Sequence, residues 1–234
     1  MFSLKRFNIL MVMAFFAVSV LAAQSNAGRE MSVEETYLRE SIEMMIIRET
    51  ARGDSREQKL IALEYIGEAI GRGNTNEEIR QTLEFLSREG RRNITRESGR
   101  ITNNFPDVRR QSARYLGQIG TEEAKNALLE ILQFENEPMV IQEVIKSLGD
   151  IGLNDNNDAV SNIVWVARRY DTLNPDNLLA IATIDALEKI ARKNGGLNYP
   201  DAIALLIRIS EGSYIRPVQE RARQLLAELR NFGS

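Results

Sequence analysis

The densest group of side chains able to bind or catalyse lies between Ser87 and Asn104. There Arg88, Arg91, Arg92, Arg96 and Arg100 stand against Glu89 and Glu97, a local charge of +3 in a chain of net charge −3. A guanidinium presents paired N–H donors that match a carboxylate or a phosphate. The segment therefore reads in one of two ways: as a solvated linker, or as a partner-binding site for an acidic protein, a lipid head group or a glycan. Two carboxylate pairs, Glu34 with Glu35 and Glu122 with Glu123, have the composition for acid–base work. Both fall where a helix is expected to begin, and acidic side chains there favour the helix dipole. The run Asn154-Asp-Asn-Asn-Asp158 is dense in oxygen ligands but lacks the central Gly and terminal Glu of a calcium loop. It reads as a connection that caps the next helix. With no His and no Cys there is no imidazole base, thiolate nucleophile, Cys/His zinc site or disulfide. Nucleophile elbows and phosphate loops are also missing. The sequence thus points to no catalytic, cofactor or metal site, and to a protein that is not an enzyme.

Residues 1–27 have a basic start (Lys5, Arg6), an apolar run from Ile9 to Ala23, and a short polar stretch ending at Ala27. This is the layout of an export signal. Cleavage is expected after Ala27, with Ala22 and Ala23 as alternatives, and the mature chain then carries −5. An acidic, exported chain argues against nucleic acid as a partner. No later stretch is long enough to span a membrane, so the expected location is periplasmic or secreted.

The elements that must position these residues are helices. From Gly28 onward apolar residues recur at helical spacing. Val108-Arg-Arg-Gln-Ser-Ala-Arg-Tyr-Leu-Gly-Gln-Ile-Gly120 and Val140-Ile-Gln-Glu-Val-Ile-Lys-Ser-Leu-Gly-Asp-Ile-Gly152 agree at Val, Leu, Gly, Ile and Gly, 32 residues apart. Equivalent positions are Ile66, Leu116, Leu148, Leu187 and Leu226, with separations of 50, 32, 39 and 39. These are helix-pair repeat lengths with one insertion. Second helices are expected within Ile79 to Leu86, Ala124 to Leu132, Ala159 to Ala167 and Ala202 to Ile209. Pro106, Pro138, Pro175 and Pro217 are expected one to four residues before a first helix, and Pro200 opens a second one. Gly120 and Gly152 suit left-handed helix ends, whereas Gly117 and Gly149 lie where a bare backbone admits a neighbouring helix.

The pattern Val-Arg-x-x-Ser-Ala-x-x-Leu-Gly-x-Ile-Gly, followed by Ala124-Lys-Asn-Ala-Leu-Leu-Glu-Ile-Leu132, resembles a HEAT repeat of the short kind found in phycobilisome-lyase-like proteins. The resemblance implies an all-α, right-handed solenoid of stacked helix pairs, about four and a half repeats here, with second helices lining a concave face. It also implies a ladder between repeats made by a first-helix Asp and Arg, positions held by Asp107 and Arg109. Ile141, Ala180 and Gln219 replace the Arg in later repeats.

The expected organisation is a signal peptide (1–27), an N-terminal capping helix (28–53) and a repeat domain (54–234) with the basic insertion at 87–104. The expected function is that of a non-catalytic scaffold or adaptor of the cell envelope, holding a protein partner on the concave face. The alternative is an accessory factor that binds an anionic ligand through the insertion. Trp165, among Ile163, Val164, Val166 and Ala167, reads as a core residue of its helix pair.

Overall fold

The computed structural model describes residues 32–171 and 175–232; the export-signal segment lies outside them. The chain divides into two compact units, Met1–Glu43 and Met44–Ser234, and the division falls inside the first described helix. That helix, α1 (Val33–Arg52), starts with a reciprocal cap: Ser32 Oγ accepts from the Glu35 N–H at 3.2 Å, and Glu35 accepts from the Ser32 N–H at 3.1 Å. Its C-terminal half buries Met44, Ile47 and Ala51.

Helix pairs follow. They are α2 (Arg56–Gly71) with α3 (Glu77–Ser87), α4 (Pro106–Ile119) with α5 (Glu122–Phe134), α6 (Pro138–Ile151) with α7 (Asp158–Asp171), and α8 (Asn177–Asn194) with α9 (Pro200–Glu211). A single helix, α10 (Arg216–Asn231), closes the array. The first helices α4, α6 and α8 pack on one another most extensively, and the second helices meet more sparingly. The unit Met44–Ser234 is thus an all-α solenoid of helix pairs, and all four expected second helices are present.

Local chemistry explains the boundaries. Pro106, Pro138, Pro200 and Pro217 sit in the first turns of α4, α6, α9 and α10, where proline's missing N–H has no helical partner to lose. The three first-helix prolines therefore lie one turn further in than expected. Gly120 (φ 71°) and Gly152 (φ 66°) end α4 and α6 in the left-handed conformation. Gly117 and Gly149 mark the close approaches. A Cβ on Gly117 would lie 2.7 Å from the Ser147 Cβ, and one on Gly149 would lie 2.6 Å from the Ala186 Cα.

Between the two layers, Val108, Leu116, Val140, Leu148, Ile184 and Leu187 are wholly enclosed, as are Leu128, Val160, Ile163 and Leu206 from the second helices. Each such side chain contributes about 1.5–3 kcal/mol by leaving water. The last repeat shifts by one residue: Leu225 is fully buried and Leu226 only partly.

Candidate functional site

The insertion is a folded element. Strands β1 (Arg96–Glu97) and β2 (Arg100–Ile101) form a small antiparallel hairpin. Its turn has positive φ at both Ser98 (48°) and Gly99 (80°), the geometry that matches strand twist in two-residue turns. Asn103 fastens the base of the hairpin. Its amide donates to Glu89 Oε2 at 2.8 Å and to the Asn93 carbonyl at 2.6 Å, and its oxygen accepts from the Thr95 N–H at 2.9 Å.

The five arginines separate into two groups. Arg88 reaches Glu130 at 2.6 Å, Arg92 also pairs with Glu130, and Arg91 donates to Glu135 at 3.1 Å and to Asn136. Arg92 in addition stacks on the Phe134 ring at 5.5 Å. These three staple the insertion to α5 and the turn after it. Arg96 and Arg100 remain exposed on the hairpin, and among the described residues Arg96 donates only to the Gly99 carbonyl within its own turn.

Below the insertion lies a buried ionic lattice. Arg109, fully enclosed, donates through Nε to Glu135 at 2.7 Å and through Nη1 to the Glu89 carbonyl and Asn104 Oδ1, both at 3.0 Å. Glu135 also accepts the N–H groups of Asn136 and Glu137 at 3.0 Å. Burial alone would raise the Glu135 carboxyl's pKa. The Arg109 guanidinium and the two backbone donors outweigh burial and hold it below the usual carboxylate range. Lys59 and Glu89 form a second enclosed pair at 2.9 Å, with Lys59 also donating to the Ala51 carbonyl. Asp107 reaches back to Arg56 at 2.7 Å. Asp107 therefore bridges to the preceding repeat through Arg56, and Arg109 does so through the Glu89 carbonyl, while Glu135 ties Arg109 to the end of α5 in its own repeat.

The Asn154–Asp158 connection holds a cation that the chain itself supplies. Lys125 on α5 is fully enclosed, 2.6 Å from both Glu122 and Asp158 and 3.4 Å from Asp155. Burial works against its charge, but the Asp158 and Glu122 carboxylates prevail and its pKa is raised. Asn154 Oδ1 accepts from the Val160 N–H at 3.1 Å, so the loop caps α7 as expected.

Trp165 overturns its sequence expectation. It is 53% exposed on α7, with Arg169 over its ring at 5.7 Å. Ile163, Val164, Val166 and Ala167 are buried, and the helical turn of 100° per residue carries position 165 to the opposite side. It belongs to an outward stripe with Ser161, Arg168 and Arg169, spaced i, i+4, i+7 and i+8, a signal already present in the sequence. Phe85 on α3 and Ile207 on α9 are exposed on the same row of second helices.

The first helices carry a different feature, a groove of about 320 Å³ between α6 and α8. It is lined by apolar Met139, Leu178, Ile181 and Ala182 and by charged Arg110, Glu143 and Lys146. Met139 and Leu178 are 42% and 67% exposed. They occupy the repeat position of Asp107, 32 and then 39 residues further along. Glu143 accepts both Nε (2.9 Å) and Nη2 (3.0 Å) of Arg114, which outweighs its burial and keeps its pKa low.

Residues 98–173 match the family model described as HEAT repeats. Among solved structures the fold is similar to a chain in the complex of CpcE and CpcF of phycocyanin lyase from Nostoc sp. PCC7120. The TM-score is 0.54 at 17% identity, with 89% of this chain and 70% of that chain covered. No curated protein matches the sequence. The fold is therefore a HEAT-like α-solenoid, and the repeats themselves are recognised in its middle third.

Proposed function

We propose that this protein is a non-catalytic scaffold of the cell envelope that holds a protein partner along its second-helix row, after export by the segment 1–27. The observation that carries the reading is Trp165, the chain's only tryptophan, standing half exposed with Arg168 and Arg169 beside it on a regular row of helices. Tryptophan and arginine are the residues most enriched where interfaces concentrate their binding energy. Extended walls of stacked helices favour macromolecular contact over enclosed chemistry. The similar solved structure is that of a complex between two chains, which agrees with a partner-binding role. The missing His and Cys agree with a non-catalytic one. Among the described residues no helix is long and apolar enough to cross a membrane.

A second reading has support from the hairpin, where Arg96 and Arg100 remain exposed: capture of an anionic ligand, such as a lipid head group or glycan. Salt separates the two, because ion-dominated capture weakens steeply with ionic strength and an aromatic contact does not.

The test is crosslinking capture from native envelopes with the mature chain, Trp165→Ala, and the double variant Arg96→Ser/Arg100→Ser. Loss of one defined partner, by tenfold or more, in the tryptophan variant alone supports the scaffold. Loss in the arginine variant alone transfers the site to the hairpin, and no protein held by any form contradicts the scaffold.

A further inference from the structure

We infer that the groove between α6 and α8 is a docking slot for an extended acidic segment of a protein partner, one that offers a medium-sized apolar side chain close to a carboxylate. The inference rests on the scaffold reading but on a separate surface, since α6 and α8 belong to the first-helix row and Trp165 to the second.

Two independent observations define the occupant. The first is the replacement of Asp107 by Met139 and then Leu178 at one repeat position. A charged inter-repeat contact has become a pair of exposed apolar side chains, continued by half-buried Ile181 and Ala182. Such a lining takes an apolar side chain from a partner and leaves an open path for its backbone.

The second is Arg110. Among the described residues its guanidinium forms no hydrogen bond or ion pair, although its Nε is buried. A buried donor without an acceptor is uncommon in folded proteins. Neighbouring Arg114 is already committed to Glu143, and Lys146 approaches that same carboxylate only at 4.0 Å. Among the described residues Arg114 and Lys146 thus share Glu143 while Arg110 pairs with no carboxylate, so this part of the groove carries more positive than negative charge. Further along, Lys189 pairs with Asp150 at 2.6 Å and Asp185 with Arg221 at 3.1 Å, so the remaining charges there are matched. The unpaired guanidinium on the groove lining is that of Arg110, and a carboxylate accepts a guanidinium through two parallel bonds.

The experiment is selection of a random heptapeptide phage library on the mature protein, followed by titration of the enriched peptides by fluorescence polarisation. Titration is repeated on Arg110→Gln, Leu178→Ser and Trp165→Ala, each first checked for an unchanged helical spectrum and melting temperature. The expected result is a consensus with Leu, Ile or Met within two residues of Asp or Glu. Arg110→Gln and Leu178→Ser, the latter altering a mostly exposed side chain, should each weaken binding about tenfold. Trp165→Ala should leave it unchanged, so failure of the second-helix reading and failure of this one are told apart. No enrichment, a consensus without a carboxylate, or affinity indifferent to Arg110 and Leu178 overturns the proposal. So does decanoate saturating the groove while no peptide binds.

Discussion

At the α4 step of the array, Asp107 reaches back to Arg56 and Arg109 reaches Glu135 at the end of α5. At the α6 step the same two repeat positions hold Met139 and Ile141, and at the α8 step Leu178 and Ala180. Arg109, Ile141 and Ala180 are all buried, so one interior site accepts a charged lattice in one repeat and plain apolar packing in the next two. The α4 step needs the lattice because an inserted hairpin must be fastened there. The α6–α8 step has nothing inserted and relies on Gly149 against Ala186. Where charges hold the structure together they are unavailable to a partner; where apolar residues replaced them, a groove opened.

The largest expected effect breaks the lattice. Arg109→Met removes the enclosed counter-charge of Glu135, leaving it only the partly exposed Arg91, and should cost about 3 kcal/mol in urea denaturation. Adding Glu135→Leu should recover part of that loss, because the under-compensated buried charge is then gone. At the contrasting step Gly149→Val should cost about 1–3 kcal/mol by overpacking, since the backbone of Ala186 cannot retreat as a flexible side chain would. Lys125→Met is expected to lose only about 1 kcal/mol or less. Its partners Glu122, Asp155 and Asp158 are 47%, 73% and 31% exposed at the side chain and regain water.

Acid sharpens the same contrast. Glu135 has its pKa depressed in the folded chain, so its contribution is present above the ordinary glutamate value of 4.5 and is lost as pH falls through the lower folded value. Glu130 and Glu143 act in the same direction. Denaturation midpoints should therefore drop below pH 4.5, and Glu135→Gln should flatten that drop while lowering stability at neutral pH. The smallest effect is on the hairpin surface. Arg96→Ser/Arg100→Ser should change stability by no more than about 0.5 kcal/mol, measured by thermal melting.

The helix pairs were legible because their signals are local. Leu116-Gly-Gln-Ile-Gly120 and its copy 32 residues on state both a close approach and a left-handed end within five residues. The capping loop at Asn154–Asp158 was readable for the same reason. The insertion was not, because the partners of Arg88, Arg91 and Arg92 lie 38 to 45 residues downstream and its strands are only two residues long. The apolar neighbours of Trp165 suggest burial, whereas the helical stripe Ser161, Trp165, Arg168 and Arg169 points outward. The groove is carried by the position of Asp107, Met139 and Leu178, and the Arg position of the ladder, two residues further on, does not reveal it.

Hydrogen–deuterium exchange of the full chain, read by mass spectrometry, tests most directly whether charge is committed to structure at the α4 step. In the native protein the amides of Gly90, Arg91, Asn93, Thr95 and Thr102, all hydrogen-bonded, should exchange far more slowly than an unstructured chain. In Arg109→Met that protection should collapse across 88–104 while α6 and α8 retain theirs. Exchange of 88–104 at the unstructured rate in the unmodified protein, or equal loss at both steps in the variant, would contradict the account.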